Sequence, residues 1–164
     1  MYSLEDEHVA RLFQPDPVSV YGPTTTSTAL SNSRTRYAVA ERYANRVYIW
    51  DIESSAGVED DFWAEPNSTV FEGYGEVDVQ AIAWRHDDAV VASLSEDFKL
   101  RFWDPNTGQQ YAETTLPPDA STNQIVWSAD GSEILYVTMD AELESVPVSG
   151  LSVPPPSTPT PAGQ

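Results

Sequence analysis

Two stretches of this chain repeat one another at a fixed spacing, and that spacing limits the fold more than any other feature. Ala81-Ile82-Ala83-Trp84-Arg85-His86-Asp87-Asp88 aligns with Gln124-Ile125-Val126-Trp127-Ser128-Ala129-Asp130-Gly131, the two tryptophans standing 43 residues apart. Without a gap, Val90-Val91-Ala92-Ser93 then falls on Glu133-Ile134-Leu135-Tyr136, Ser95 on Thr138, and Asp97 on Asp140. One offset shared by so many positions means one supersecondary unit used more than once. Such a unit cannot bury its apolar face alone, so neighbouring units must stack.

Two further alignments extend the series. Lys99-Leu100-Arg101-Phe102-Trp103-Asp104 matches Arg46-Val47-Tyr48-Ile49-Trp50-Asp51, with 53 residues between the tryptophans. The ten extra residues fit an acidic connector around Gly57-Val58-Glu59-Asp60-Asp61-Phe62-Trp63. An earlier copy, Ser3 through Pro15, aligns with Ser93 through Pro105 and carries Phe13 in the tryptophan position. The last copy, Glu142-Leu143-Glu144-Ser145-Val146, has Val146 there. The expected units are therefore about 3–22, 24–73, 75–118 and 120–150, the first of them partial.

Within a unit the pattern is short strand, turn, short strand. Residues 80–84, 89–95, 98–103 and 109–115 are predicted to be four strands of one sheet. His86-Asp87-Asp88, Ser95-Glu96-Asp97 and Asp104-Pro105-Asn106-Thr107-Gly108 supply turn chemistry, since Asn, Asp and Gly tolerate positive φ and Pro presets its own. Ala89-Val90-Val91-Ala92 is apolar on both faces, as in a strand with a neighbour on each side.

A unit of about 43 residues whose third strand ends in Trp-Asp resembles the WD40-repeat family, with Trp50-Asp51 and Trp103-Asp104 as the signature dipeptides. The resemblance covers roughly residues 3–150. It implies an all-β fold, a β-propeller of four-stranded antiparallel blades, here an incomplete ring of about three full blades plus part of another. It also implies a buried hydrogen-bonded tetrad in each blade. Ser95, Asp97 and Trp103 match three tetrad positions, but the Gly-His expected before them reads Gly75-Glu76. Thr138 and Asp140 match in the last unit, which lacks the tryptophan, and Ala44 stands where the unit ending at Trp50 needs Asp. A closed propeller needs four to eight blades. Either this is a piece of a longer propeller, or it assembles with further copies, or loops blunt its sheet edges. Residues 151–164, rich in Pro, Ser and Thr, are expected to form an extended, disordered tail.

Charge narrows the partners. The chain has 26 Asp and Glu against 8 Lys and Arg, a net charge of −18. That field repels phosphate backbones and anionic membranes. The main basic cluster, Arg34, Arg36, Arg42 and Arg46 among Tyr37 and Tyr43, is also what a solvated strand face looks like. Neither nucleic acid nor membrane is expected as a partner, and no stretch reaches the roughly 20 apolar residues of a span. The acidic Met1-Tyr2-Ser3-Leu4-Glu5-Asp6-Glu7 is unlike a basic export leader, so an intracellular setting, cytoplasmic or nuclear, is expected.

Chemistry finds few footholds. With no cysteine and only His8 and His86, thiolate sites and histidine-rich metal sites are excluded. Glu59-Asp60-Asp61 could draw a hard cation, but the alternating spacing of a calcium loop is absent and a solvated acidic loop accounts for it. Carboxylates abound, yet nothing singles out an acid–base pair, and the Gly-x-Ser-x-Gly elbow, phosphate loop and dinucleotide fingerprint are missing. The expectation is a non-catalytic scaffold that binds other proteins with basic surfaces, needing no cofactor. The alternatives are a propeller-based hydrolase or lyase using acidic residues, or a salt-adapted, cation-binding acidic domain. By the resemblance, Tyr43, Glu96 and Met139 precede the Asp position of each turn and reach one rim. Phe62-Trp63, in the acidic insertion, is either a satellite cluster or an exposed anchor.

Overall fold

The computed structural model describes residues 25–41, 45–52 and 68–156. The partial unit at 3–22, the acidic run at 59–61, Tyr43, Phe62 and Trp63 lie outside the described residues. Regular structure in the described residues is all strand, in three antiparallel sheets that follow one another along the chain. Among these residues no helix is long and apolar enough to cross a membrane.

Sheet one contains β1 (Thr25–Leu30), β2 (Arg36–Glu41), β3 (Arg46–Asp51) and β4 (Ser68–Phe71), paired in that order. Sheet two contains β5 (Val79–Trp84), β6 (Val91–Ser95), β7 (Lys99–Trp103) and β8 (Gln110–Thr115), the four strands expected from the turn chemistry. Sheet three has only β9 (Ala120–Trp127), β10 (Glu133–Thr138) and β11 (Leu143–Pro147), with β10 in the middle.

The 43-residue repeat is preserved in the pairing register. Trp84 sits opposite Val91 and Val91 opposite Trp103, while Trp127 sits opposite Ile134 and Ile134 opposite Val146. It is preserved in the turns as well. Between first and second strands a residue of positive φ recurs: Arg34 (62°), Asp88 (56°) and Gly131 (70°). Between second and third strands it is Asn45 (52°), Phe98 (60°) and Ala141 (63°). Gly and Asn enter that region readily, whereas Arg, Phe and Ala pay a steric cost there. The hairpin geometry therefore prevails over the local preference of three residues.

The first strands lie next to each other, β1 beside β5 and β5 beside β9. A repeated bond joins them. The Trp84 indole N–H donates to the Ala29 carbonyl at 3.0 Å, and the Trp127 indole N–H donates to the Ala83 carbonyl at 3.1 Å. Each tryptophan also lies under an arginine of the preceding sheet, Arg36 over Trp84 and Arg85 over Trp127. Thr26 Oγ1 donates to the Val79 carbonyl and the Ile82 amide donates to Ser27 Oγ, stitching sheet one to sheet two.

Two apolar layers fill the gaps between sheets. Ala38, Val47, Ile49 and Phe71 of sheet one meet Val79, Ile82, Val91 and Trp103 of sheet two. On its other face, sheet two sends Ala92, Leu94, Leu100 and Phe102 against Ile125, Trp127, Ile134 and Tyr136 of sheet three. Sheet two is thus covered on both faces, which explains why β6 is buried along its whole length.

The segment after β11 corrects one expectation. Residues 151–156, assigned from sequence to a disordered tail, dock on the molecule. Leu151 and Val153 pack against the second apolar layer, and Val148 is buried there. Arg85 explains the rest. It is 1% exposed, is held by Asp87 at 2.8 Å, and donates to the carbonyl of Pro154 at 2.6 Å. A buried guanidinium has five N–H groups to satisfy, and prolines offer carbonyls with no competing N–H.

Candidate protein-binding surface

The buried polar residues of sheet two form one connected network. Tyr74, in the turn leading to β5, shares a 2.8 Å hydrogen bond between its hydroxyl and Ser93 Oγ. The Trp103 indole N–H donates to the same oxygen at 2.8 Å. Phe71 stacks on Trp103 with ring centroids 5.0 Å apart, and Arg101 lies over the Tyr74 ring at 5.2 Å. Arg101 donates to Ser95 Oγ at 2.5 Å and pairs with Asp97 at 3.2 Å, and Ser95 Oγ donates to Asp97 at 2.8 Å.

Ser95, Asp97 and Trp103 were grouped from sequence, and the structure separates them. Ser95 and Asp97 are bonded to each other, but the Trp103 N–H goes to Ser93. The reason is the ladder register: Trp103 pairs with Val91, so of the two serines on that face Ser93 stands next to it, while Ser95 lies farther along, at the turn beside Asp97. Sequence reasoning missed Ser93, Tyr74 and Arg101. Gly73-Tyr74, two residues before Gly75-Glu76, is where an aromatic donor enters, and that dipeptide was its only signal. Burial pushes the Tyr74 hydroxyl up, against the lowering effect of Ser93 and Arg101, so it stays neutral. At Asp97 burial acts upward too, but the bonds from Ser95 and Arg101 outweigh it and hold the carboxyl below its usual value.

The last sheet lacks this network. Thr138 is buried and accepts a bond from the Glu142 amide at 3.1 Å, while Asp140 is exposed in the turn. The residue corresponding to Arg101 there is Glu144, so Asp140 has no arginine at that position to draw it in.

The turns between second and third strands of sheets two and three reach the same rim. Glu96 is exposed in the first and Met139, 71% exposed, in the second. Both turns are fixed by the chain entering the first strand of their own sheet. The Glu96 amide donates to the Asp78 carbonyl at 3.1 Å, and the Met139 amide donates to the Asp119 carbonyl at 2.7 Å. Gln80 further holds the Glu96 carboxylate at 2.8 Å. Together Glu96 and Met139 border a concavity of about 460 Å³ whose walls include Phe98, Asn123, Val137 and Ala141. Among the described residues, no group of three or more His, Asp or Glu side chains is placed to hold a metal ion. The surface can offer apolar side chains with the Glu96 carboxylate at their border.

Comparison with known proteins gives a structural answer only. No protein-family model matches the chain, and no curated protein matches it in sequence. Solved structures do match. The β-propeller domain of Cps50 (Swd1) from Myceliophteria thermophila superposes with a TM-score of 0.60 at 14% identity, over 77% of this chain and 36% of that one. U3-55K gives 0.63 at 14% identity, over 85% and 39%. The WD40 domain of Toxoplasma gondii coronin gives 0.60 at 21% identity, over 77% and 31%. The chain spans between about a third and two fifths of the length of these proteins. Its three successive antiparallel sheets, stacked through their first strands without closing a ring among the described residues, have the fold of part of a WD40 β-propeller.

Proposed function

We propose that the chain is a protein-interaction scaffold, without catalytic activity, whose contact rim is built by the turns between second and third strands. The observation that carries this reading is the convergence of Glu96 and Met139 on one concavity, with an exposed thioether beside an exposed carboxylate. Methionine adapts its shape to a partner at low cost, and apolar anchors inside a polar rim are the usual anatomy of protein contacts. A net charge of −18 favours a partner with a basic surface and disfavours nucleic acid and anionic membrane. Tyr43 belongs to the same series of positions, and the intracellular setting read from the sequence suits such a role.

The test is capture of binding proteins by wild-type chain and by a Tyr43→Ala, Glu96→Lys, Met139→Lys variant of unchanged circular dichroism. Recovery should drop by about tenfold or more, since hot spots cluster in few residues. Equal recovery by the two proteins refutes the rim assignment.

A further inference from the structure

The two arginines that lie over tryptophans at the sheet junctions find their acceptors differently. Arg36, over Trp84, donates to the Asp88 carbonyl at 3.1 Å and to Asn106 Oδ1 at 2.9 Å. Both acceptors sit in turns of sheet two. Arg85, 5.7 Å from the centroid of the Trp127 ring, instead donates to the carbonyls of Pro154 at 2.6 Å and Pro155 at 3.5 Å. These two belong to no sheet. The same arginine–tryptophan pair is closed by built-in turns at one junction and by a separate segment at the other.

Arg85 is aimed by its own sheet. Asp87 accepts from Nε at 2.8 Å and from Nη2 at 2.9 Å, a bidentate clamp that leaves Nη1 for another acceptor. The Ala89 amide holds Asp87 in turn, at 3.1 Å. Gly131 of sheet three makes room for the arginine stem, since a Cβ there would lie 2.9 Å from Arg85 Cδ. The occupant suits this cleft. Proline carbonyls have no neighbouring N–H to compete for them, and a proline run stays extended without internal hydrogen bonds. Leu151 and Val153, half-buried, pack on the apolar layer, while Ser152 between them is exposed. Residues 147–156 carry no charge, so the acidic field of the chain does not oppose them. The attachment is slight, however. The segment pairs with no strand among the described residues, and Pro155 and Pro156 are exposed. Segments held by so few contacts open locally at low free energy.

We propose that Arg85, Asp87 and Trp127 form a binding cleft for an uncharged apolar-x-apolar-Pro-Pro segment of another protein. Residues 151–156 are its resident occupant, which such a segment displaces. Recognition combines two apolar side chains, set on alternate residues, with consecutive proline carbonyls read by one clamped guanidinium. The cleft lies at the end of sheet two opposite the Glu96 rim, since Arg85 follows β5 and Glu96 follows the antiparallel β6. It stands or falls independently of the rim.

The probe is a synthetic peptide with the sequence of residues 149–157, added to the full wild-type chain and to the full chain carrying Leu151→Ser with Val153→Ser. That variant releases the resident segment and leaves the cleft intact. It should bind the peptide about tenfold or more tightly than wild type, because a tethered segment competes at an effective concentration on the order of millimolar. On binding, the NMR signals of the Arg85 Nε–H and the Trp127 indole N–H should return to their wild-type positions, while the Trp103 indole signal stays in place. Alanine at the three proline positions of the peptide should weaken it roughly tenfold, through the added freedom of three residues. A Pro154→Gly, Pro155→Gly chain, which keeps both apolar contacts, should bind the peptide with intermediate affinity. Absence of binding to the released chain overturns the proposal, as does equal affinity for released and wild-type chains. So does binding that leaves the Arg85 and Trp127 signals unmoved, or an alanine peptide of equal affinity. A wild-type dimer that the released chain cannot form also overturns it, since the cleft would then serve a second copy.

Discussion

Sheets two and three are close to the same object in backbone and nearly opposite in environment. Residue pairs 43 apart occupy the same ladder positions and the same turn conformations, yet Leu94 is fully buried where Val137 is 38% exposed. Backbone geometry is set inside each sheet, by turns and by register. Burial is set by neighbours: sheet two has one on each face, and sheet three is described with one. A buried polar network forms only in the enclosed sheet, where an unsatisfied group costs most.

The largest test of this contrast is a matched pair of truncations. Trp103→Ala should cost roughly 3–5 kcal/mol, the range for large buried aromatics, because it empties the site between Phe71 and Tyr74 and removes one of the two partners of Ser93 Oγ. Val146→Ala, at the equivalent position of β11, should cost about 1 kcal/mol or less, as expected for a half-buried edge residue. Urea unfolding of the two variants gives both numbers, and similar losses break the comparison.

A smaller effect concerns acid. The Asp97 carboxyl titrates below its ordinary 3.8 when folded, so its contribution to stability is fully present above that value. That contribution is lost as pH falls through the depressed folded value. Asp97→Asn should therefore be less stable than wild type near neutrality and converge with it in strong acid. Stability measured across the acid range sharpens the contrast, and parallel curves for wild type and Asp97→Asn remove it.

The smallest effect tests what the two sheets share. Ala141 holds a φ of 63° that suits glycine, so Ala141→Gly should raise stability by about 0.5 kcal/mol, the relief of left-handed strain less the added chain entropy. A loss on thermal unfolding means the turn is not the source of the shared geometry.

Much of the fold was legible because repetition averages over local ambiguity. One offset placed Trp84 and Trp127 together at strand ends, and Asp and Gly marked the turns between. Glu96 and Met139 were legible as exposed turn residues from their place before the Asp of each turn. What escaped notice depended on partners distant in sequence. Ser93 and Ser95 are indistinguishable in a string of letters and share one face of β6, and only the register that pairs Trp103 with Val91 decides which of them meets the indole. Tyr74 was overlooked because the connection into β5 does not repeat at the common spacing. The docking of 151–156 could not be foreseen without knowing that Arg85 is buried and short of acceptors.

The hold of Arg85 on Pro154 also has a mechanical consequence. Tension entering through the carboxyl-terminal segment meets the guanidinium before it reaches the β10–β11 hairpin, and it passes into sheet two through β5 and the adjoining Asp87. The outermost sheet is bypassed, so whatever is tethered beyond residue 156 pulls on the best-enclosed part of the molecule and leaves the exposed hairpin unloaded.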